Sequence, residues 1–192
     1  MDNHGHVRTV AALFCHRRSP YKAIAGVEVY DLARDARTFP GGMPVIAHPP
    51  CRYWSRARRR DLPTDPDEVA LAPWALNTVR QNGGILEHPF GSRFWSFARL
   101  PAPGCQDEFG GWTIQLDQLW FGHPAEKSTW LYLFGIAPPQ VAPVLVDLTR
   151  RPRSNFNCLS RSQRQLSPPR FAEWLVSLAR VAAEQVATCC QA

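Results

Sequence analysis

Four short apolar runs in the first half of the chain constrain its fold more than any other feature. They are "VRTVAALF" (residues 7–14), "VEVYDL" (27–32), "VIAH" (45–48) and "GILEHP" (84–89). Each is too short for a stable helix, and together they are rich in β-branched and aromatic residues. Several are uniformly apolar rather than alternating, which predicts strands buried on both faces, as in a parallel sheet covered by helices. Between the third and fourth runs, residues 64–84 predict the clearest helix. Asp65 is its cap, Pro66 fits the first turn, and Val69, Leu71, Trp74, Leu76 and Val79 supply an apolar stripe. Gly83 and Gly84 stop it, and Pro73 predicts a kink inside it. The fourth run is expected to end at Glu87.

Further along, residues 92–100 predict a short helix, and residues 112–121 and 129–136 predict strands that pair with each other. Residues 144–148 predict an edge strand. Residues 167–190 predict a terminal helix with a stripe of Phe171, Trp174, Leu175, Leu178, Ala182 and Val186. The expected architecture is a single α/β domain over residues 1–192. It has a Rossmann-like, mostly parallel sheet with helices on both faces, and antiparallel strands in the second half.

Eighteen prolines in 192 residues argue for loops and short elements and against a helical bundle. Lysine and arginine outnumber the acids, 22 to 16, for a formal charge of +6, a balance that suits a polyanionic partner. The positive charge concentrates in a loop at residues 52–64, with Arg52, Arg56, Arg58, Arg59 and Arg60, and in a polar segment at 150–168. Either is a phosphate-binding surface or a solvated face. No apolar stretch approaches the roughly 18 residues of a membrane span, and the N-terminus lacks a signal-peptide core. Six cysteines show no CxxC spacing. These features lead to the expectation of a cytoplasmic protein with reduced thiols, without membrane contact and without a local zinc site.

In open α/β sheets, ligands bind beyond the carboxyl ends of the strands. Two reactive side chains lie there: Cys51, after "VIAHPP", and Glu87, after "GGIL". On neighbouring strands they would bring a nucleophilic thiol and a carboxyl proton partner to one crevice, an arrangement suited to covalent attack on a planar base. His48 and His88, each beside a proline, read as a metal pair or as loop-bonded imidazoles. Trp54 and Trp95 read as core anchors or as base-stacking platforms.

"VIAHPPCRYWS" resembles the Pro-Pro-Cys motif of DNA cytosine-5 methyltransferases, and "GGILEHP" resembles that family's strand ending in Glu-Asn-Val. "FGHPAEKSTWLYLFG" is similar to the family's Gly-Val-Pro-Gln-x-Arg-x-Arg segment. Gly122 and Pro124 match it, Lys127 stands at the first arginine, and Ala125 and Thr129 replace the glutamine and the second arginine. "RQLSPPRFAEWL" loosely resembles the opening of the family's last conserved helix, and the four segments follow the family's order. The chain also resembles short phage and prophage proteins, which implies a bacterial or phage-infected host cell.

The resemblance implies a mechanism. Cys51 adds to C6 of a pyrimidine, Glu87 contacts N3 and supplies a proton there, and C5 becomes nucleophilic. Pro50 stiffens the approach to the thiol, while Lys127 and Arg52, Arg56, Arg58, Arg59 and Arg60 face the substrate or its DNA. S-adenosylmethionine is the implied donor, with Phe14 and Asp31 at its site. The chain departs from the family in the turn after the first strand, "LFCHRRSPYKA", which has no glycine, and in lacking room for a recognition domain. Three outcomes stay open: S-adenosylmethionine held by an altered loop, a different donor bearing phosphate or carboxylate, or loss of the chemistry. The expected function is therefore a DNA or nucleotide pyrimidine-modifying transferase. The alternatives are an inactive nucleic-acid-binding or host-interfering protein on the same scaffold, and a metal-dependent hydrolase built on His48 and His88.

Overall fold

A computed structural model of the chain describes residues 8–55, 63–141, 147 and 149–189. The four apolar runs form β1 (Val10–Cys15), β2 (Val27–Asp31), β3 (Val45–Ala47) and β4 (Gly84–Pro89). β5 (Trp112–Asp117) and β6 (Ser128–Phe134) follow. The α-helices are α1 (Pro66–Asn82), α2 (Phe94–Phe97), α3 (Arg161–Gln165) and α4 (Pro169–Cys189).

The strands form one six-stranded sheet in the order β2-β1-β3-β4-β6-β5. β1 to β4 are mutually parallel. β6 is antiparallel to both β4 and β5, so β5 runs with the first four. The chain is thus α/β, with a mostly parallel sheet and antiparallel pairing in its second half.

Alternation along the strands divides the core in two. Val10, Ala12, Ile46, Ile85, Leu131 and Leu133 face α4, where Phe171, Leu175, Leu178 and Ala182 of the predicted stripe are buried. Burying each of the larger side chains stabilises the fold by about 1.5–3 kcal/mol. Trp174 is partly buried at the margin, and the side chain of Val186 lies outside the described residues. Ala11, Leu13, Val45, Ala47, Leu86 and Tyr132 face the other way, toward Ala72, Ala75, Leu76 and Val79 of α1. Trp54 and Trp95 belong to this second core.

Local chemistry sets the boundaries that matter for the site. The Asp65 carboxylate accepts the N–H groups of Asp67 and Glu68 and starts α1, as its sequence predicts. Gly84 opens β4 with φ +123°, and a Cβ there would overlap the Val45 backbone, so only glycine lets β4 lie against β3. β4 continues past Glu87 because β6 pairs with it as far as Pro89 and Thr129. β5 stops at Asp117, whose carboxylate accepts the Leu119 N–H and turns the chain into a 3-10 helix, Gln118–Phe121. The predicted edge strand at 144–148 lies outside the described residues except for Asp147. The polar segment 150–168 carries a 3-10 turn, Phe156–Cys158, and then α3, with Ser160 and Gln163 capping each other.

Candidate active site

β1 and β3 are spatial neighbours although β2 lies between them in sequence, so the winding of the sheet reverses there. A crevice at the carboxyl ends of the strands is the usual consequence. Phe14, at this edge, has φ +60°, and the β1–β2 register slips between Leu13 and Cys15. A bulky residue in that conformation is strained, and the interlocked strands must hold it.

β4 brings Glu87 to the same edge, on the α4 side, where it is only 8% exposed. Protein groups surround its carboxyl. His48 Nδ1 lies 3.0 Å from Oε2, and Gln118 Nε2 donates to Oε1 at 3.3 Å. The Thr129 hydroxyl donates to Oε1 as well. Gln118 Nε2 also donates to Thr129 Oγ1 at 3.3 Å, which leaves the hydroxyl proton directed at Glu87. On its far side, His48 Nε2 meets the hydroxyl of fully buried Tyr21 at 2.9 Å. Burial would raise the Glu87 carboxyl. The hydrogen bond and charge of His48, the Lys127 ammonium and the Thr129 hydroxyl outweigh that and hold it at about 2. Glu87 is therefore held as an acceptor in the resting protein.

Cys51 follows β3 and is exposed, with its carbonyl accepting the N–H groups of Trp54 and Ser55 to start a tight turn. Partial burial of the sulfur pushes its thiol up. The Glu87 charge adds to this, and Lys127 opposes it. Lys127 donates to the Leu166 carbonyl at 3.3 Å. Burial pushes its ammonium down, and the charges of Glu87 and Cys51 pull it back. The thiol, the carboxylate and the amine thus sense one another at one end of the sheet. A surface cavity of about 510 Å³ lies among Tyr53, Trp54, Val69 and Phe97, and neither Cys51 nor Glu87 lines it.

The other expected residues divide. Pro50 precedes the thiol, and its carbonyl interacts with the His88 ring without reaching hydrogen-bond geometry. Arg52 is committed within the fold: it pairs with Glu68, donates to the Tyr53 hydroxyl at 3.0 Å and lies 4.6 Å over the Tyr53 ring. It is not the free phosphate-gripping group that the sequence suggests. Arg56, Arg58, Arg59 and Arg60 lie outside the described residues.

His48 and His88 do not converge. Alternation along β4 turns His88 toward the α1 side, where it packs on Phe94 and Trp95, and burial lowers it to about 4. Among the described residues, no three His, Cys, Asp or Glu side chains cluster to hold a metal. No helix among them is long and apolar enough to cross a membrane.

The residues expected at the methyl donor are engaged within the fold. Asp31 accepts Lys22 Nζ at 2.6 Å and the N–H groups of Ala33 and Arg34, which take three of its roughly four acceptor positions. Phe14 packs edge-on against Trp74 of α1, 5.9 Å between ring centroids. Arg17 and Arg18 stand in the turn where an adenosyl group would need close backbone approach.

Comparison with known proteins finds no family model that matches the chain and no match among curated proteins.

Three site residues escape the sequence reading. Gln118 passes for a surface group, yet it is fully buried and bonded to Glu87. Thr129 stands where the resembled motif has arginine, and Tyr21 lies in a turn with no strand signal. The pairings Ala47–Leu86 and Glu87–Leu131 are what bring His48 and Thr129 to the carboxylate.

Proposed function

We propose that this protein is an enzyme that modifies a pyrimidine in DNA or in a nucleotide through covalent addition of Cys51 to C6. A single observation carries the reading. The exposed thiol follows β3, whose continuation sets His48 3.0 Å from the buried carboxylate of Glu87 on the adjacent parallel strand, and the half-buried Lys127 ammonium acts on both the thiol and the carboxylate. In this reading the Cys51 sulfur attacks C6, and Glu87 receives the N3 edge of the base. Lys127 offsets the negative charge that moves into the ring, and C5 becomes the nucleophile. Tyr21, His48, Gln118 and Thr129 fix the position and ionisation of Glu87. The mostly parallel sheet with helices on both faces and a winding reversal at the site supports the Rossmann-like arrangement that the resemblance implies. The net charge of +6 favours a polyanionic partner, and DNA supplies it in this reading.

The test is covalent capture. Oligonucleotides bearing 5-fluorouracil or 5-fluorocytosine should form an adduct that survives denaturing electrophoresis and maps to Cys51, and Cys51→Ala should abolish it. Salt-dependent binding without any adduct would replace the enzyme reading with that of a binding protein on the same scaffold.

A further inference from the structure

Resting on that reading for its choice of DNA as the polyanion, we infer that the DNA backbone binds on an arginine surface built from three separate segments: the turn after β1, residues 150–153, and α3. Between Asp147 and Glu173 the chain has six arginines and no acid. The turn after β1 adds Arg17 and Arg18. Tertiary contacts gather these segments. Arg18 donates to the Ser162 hydroxyl of α3 at 3.3 Å, across 144 residues of chain. Arg150 donates to the Gly122 carbonyl at 3.4 Å, and the Arg153 N–H donates to the Pro124 carbonyl at 2.8 Å. Lys127 in turn donates to the carbonyl of Leu166, which closes α3, at 3.3 Å. The arginine surface therefore borders the end of the sheet that carries Cys51 and Glu87.

A solvated face pairs its charges, as this protein does elsewhere: Arg34 with Glu28, Arg37 with Asp35 and Arg52 with Glu68. Arg17, Arg18, Arg151, Arg153 and Arg161 are all exposed, and none of them forms an ion pair among the described residues. The acids at the margins are Asp31, which is held by Lys22, and the exposed Glu126 and Asp147. Gathering cations without matching acids costs repulsion, which a bound polyanion relieves. The guanidinium fork matches phosphate oxygens, and the exposed amides of Asn157 and Gln165 lie among the arginines to donate as well.

The same surface suits a membrane less well. Interfacial binding adds an inserted apolar face. The exposed large apolar side chains among the described residues are Leu32, Phe90, Phe97 and Phe109, all on other segments. With no exposed aromatic side chain on it to stack a base, the surface positions the backbone and does not read sequence.

The test compares two variants of equal charge loss in the full chain. Arg17→Gln/Arg161→Gln removes two cations from the surface, and Arg8→Gln/Arg99→Gln removes two exposed, unpaired ones from other segments. Fluorescence anisotropy follows binding of a labelled DNA duplex, and of its single strand, over a range of salt concentrations. The surface variant is expected to bind at least about tenfold more weakly. Its log–log salt slope should fall by about 2 on the duplex and about 1.4 on the single strand, and the comparison tells which form supplies the backbone. The remote variant should stay within about threefold of the unaltered chain. Arg17→Lys/Arg161→Lys should restore the slope, which a mere loss of packing would not. Equal weakening in the surface and remote variants assigns binding to overall charge and overturns the surface. Binding to phosphatidylserine vesicles and not to DNA, or to neither, overturns the partner. Surface-dependent binding with no fluoropyrimidine adduct leaves this inference standing and overturns the enzyme reading. An adduct that the surface variant forms as fast as the unaltered chain does the reverse.

Discussion

Replacing Glu87 with glutamine should destabilise the fold by an amount that depends on pH in a defined way. Burial penalises the carboxylate, yet His48, Lys127 and Thr129 hold it at about 2, against an ordinary 4.5. A carboxyl depressed on folding contributes stability that is present above its unfolded value and lost as pH falls toward its folded value. At about 1.4 kcal/mol per pH unit, the displacement corresponds to about 3 kcal/mol near neutrality. Most of it should remain at pH 4 and roughly half at pH 3. Glutamine cannot ionise, and it turns an amide N–H₂ toward groups that are themselves donors. That mismatch adds a loss with no pH dependence of its own. Urea unfolding of both proteins between pH 7 and pH 3 separates the two contributions. With a slope of about 2 kcal/mol per molar urea, the gap between the midpoints should narrow by about 1 M over that range. A gap that stays constant would refute the argument that the site holds Glu87 as a carboxylate.

Three further outcomes can be measured. Iodoacetamide should label Cys51 and leave Cys15 untouched, because burial pushes the Cys15 thiol up to about 12. At a fixed mildly alkaline pH, Lys127→Met should slow Cys51 labelling by on the order of a few-fold and Glu87→Gln should speed it, since the two charges act on the thiol in opposite directions. Peptide mapping reads both changes, and shifts of the same sign would contradict the coupling. Gly111→Ala should cost at least about 2 kcal/mol in chemical denaturation, because its Cβ would overlap the Tyr132 hydroxyl and ring. Tyr132 cannot move aside freely, being bonded to Arg80 at 3.0 Å and to Asp107 at 2.8 Å. A cost near zero would show that this contact yields.

The strands and the main helices are legible in the sequence because each is encoded locally. Val10 to Leu13, Val45 to Ala47 and Ile85 to Leu86 are apolar runs that have to be buried. Asp65, Pro66, Gly83 and Gly84 mark the limits of α1 through chemistry that acts within one turn. The positions of Cys51 and Glu87 at strand ends are readable for the same reason. Their environments are not. Arg52 looks free in sequence and is paired with Glu68, sixteen residues away. Asp31 looks like a ribose acceptor and is held by Lys22.

By itself, the sequence determined an α/β chain with a cysteine and an acid at the carboxyl ends of two buried strands. Only the tertiary structure decided what that acid is. Gln118, Thr129 and His48 lie 31, 42 and 39 residues from Glu87 along the chain. The physical reason is that ionisation depends on distances between groups, and those distances exist only once β3, β4 and β6 pair in register.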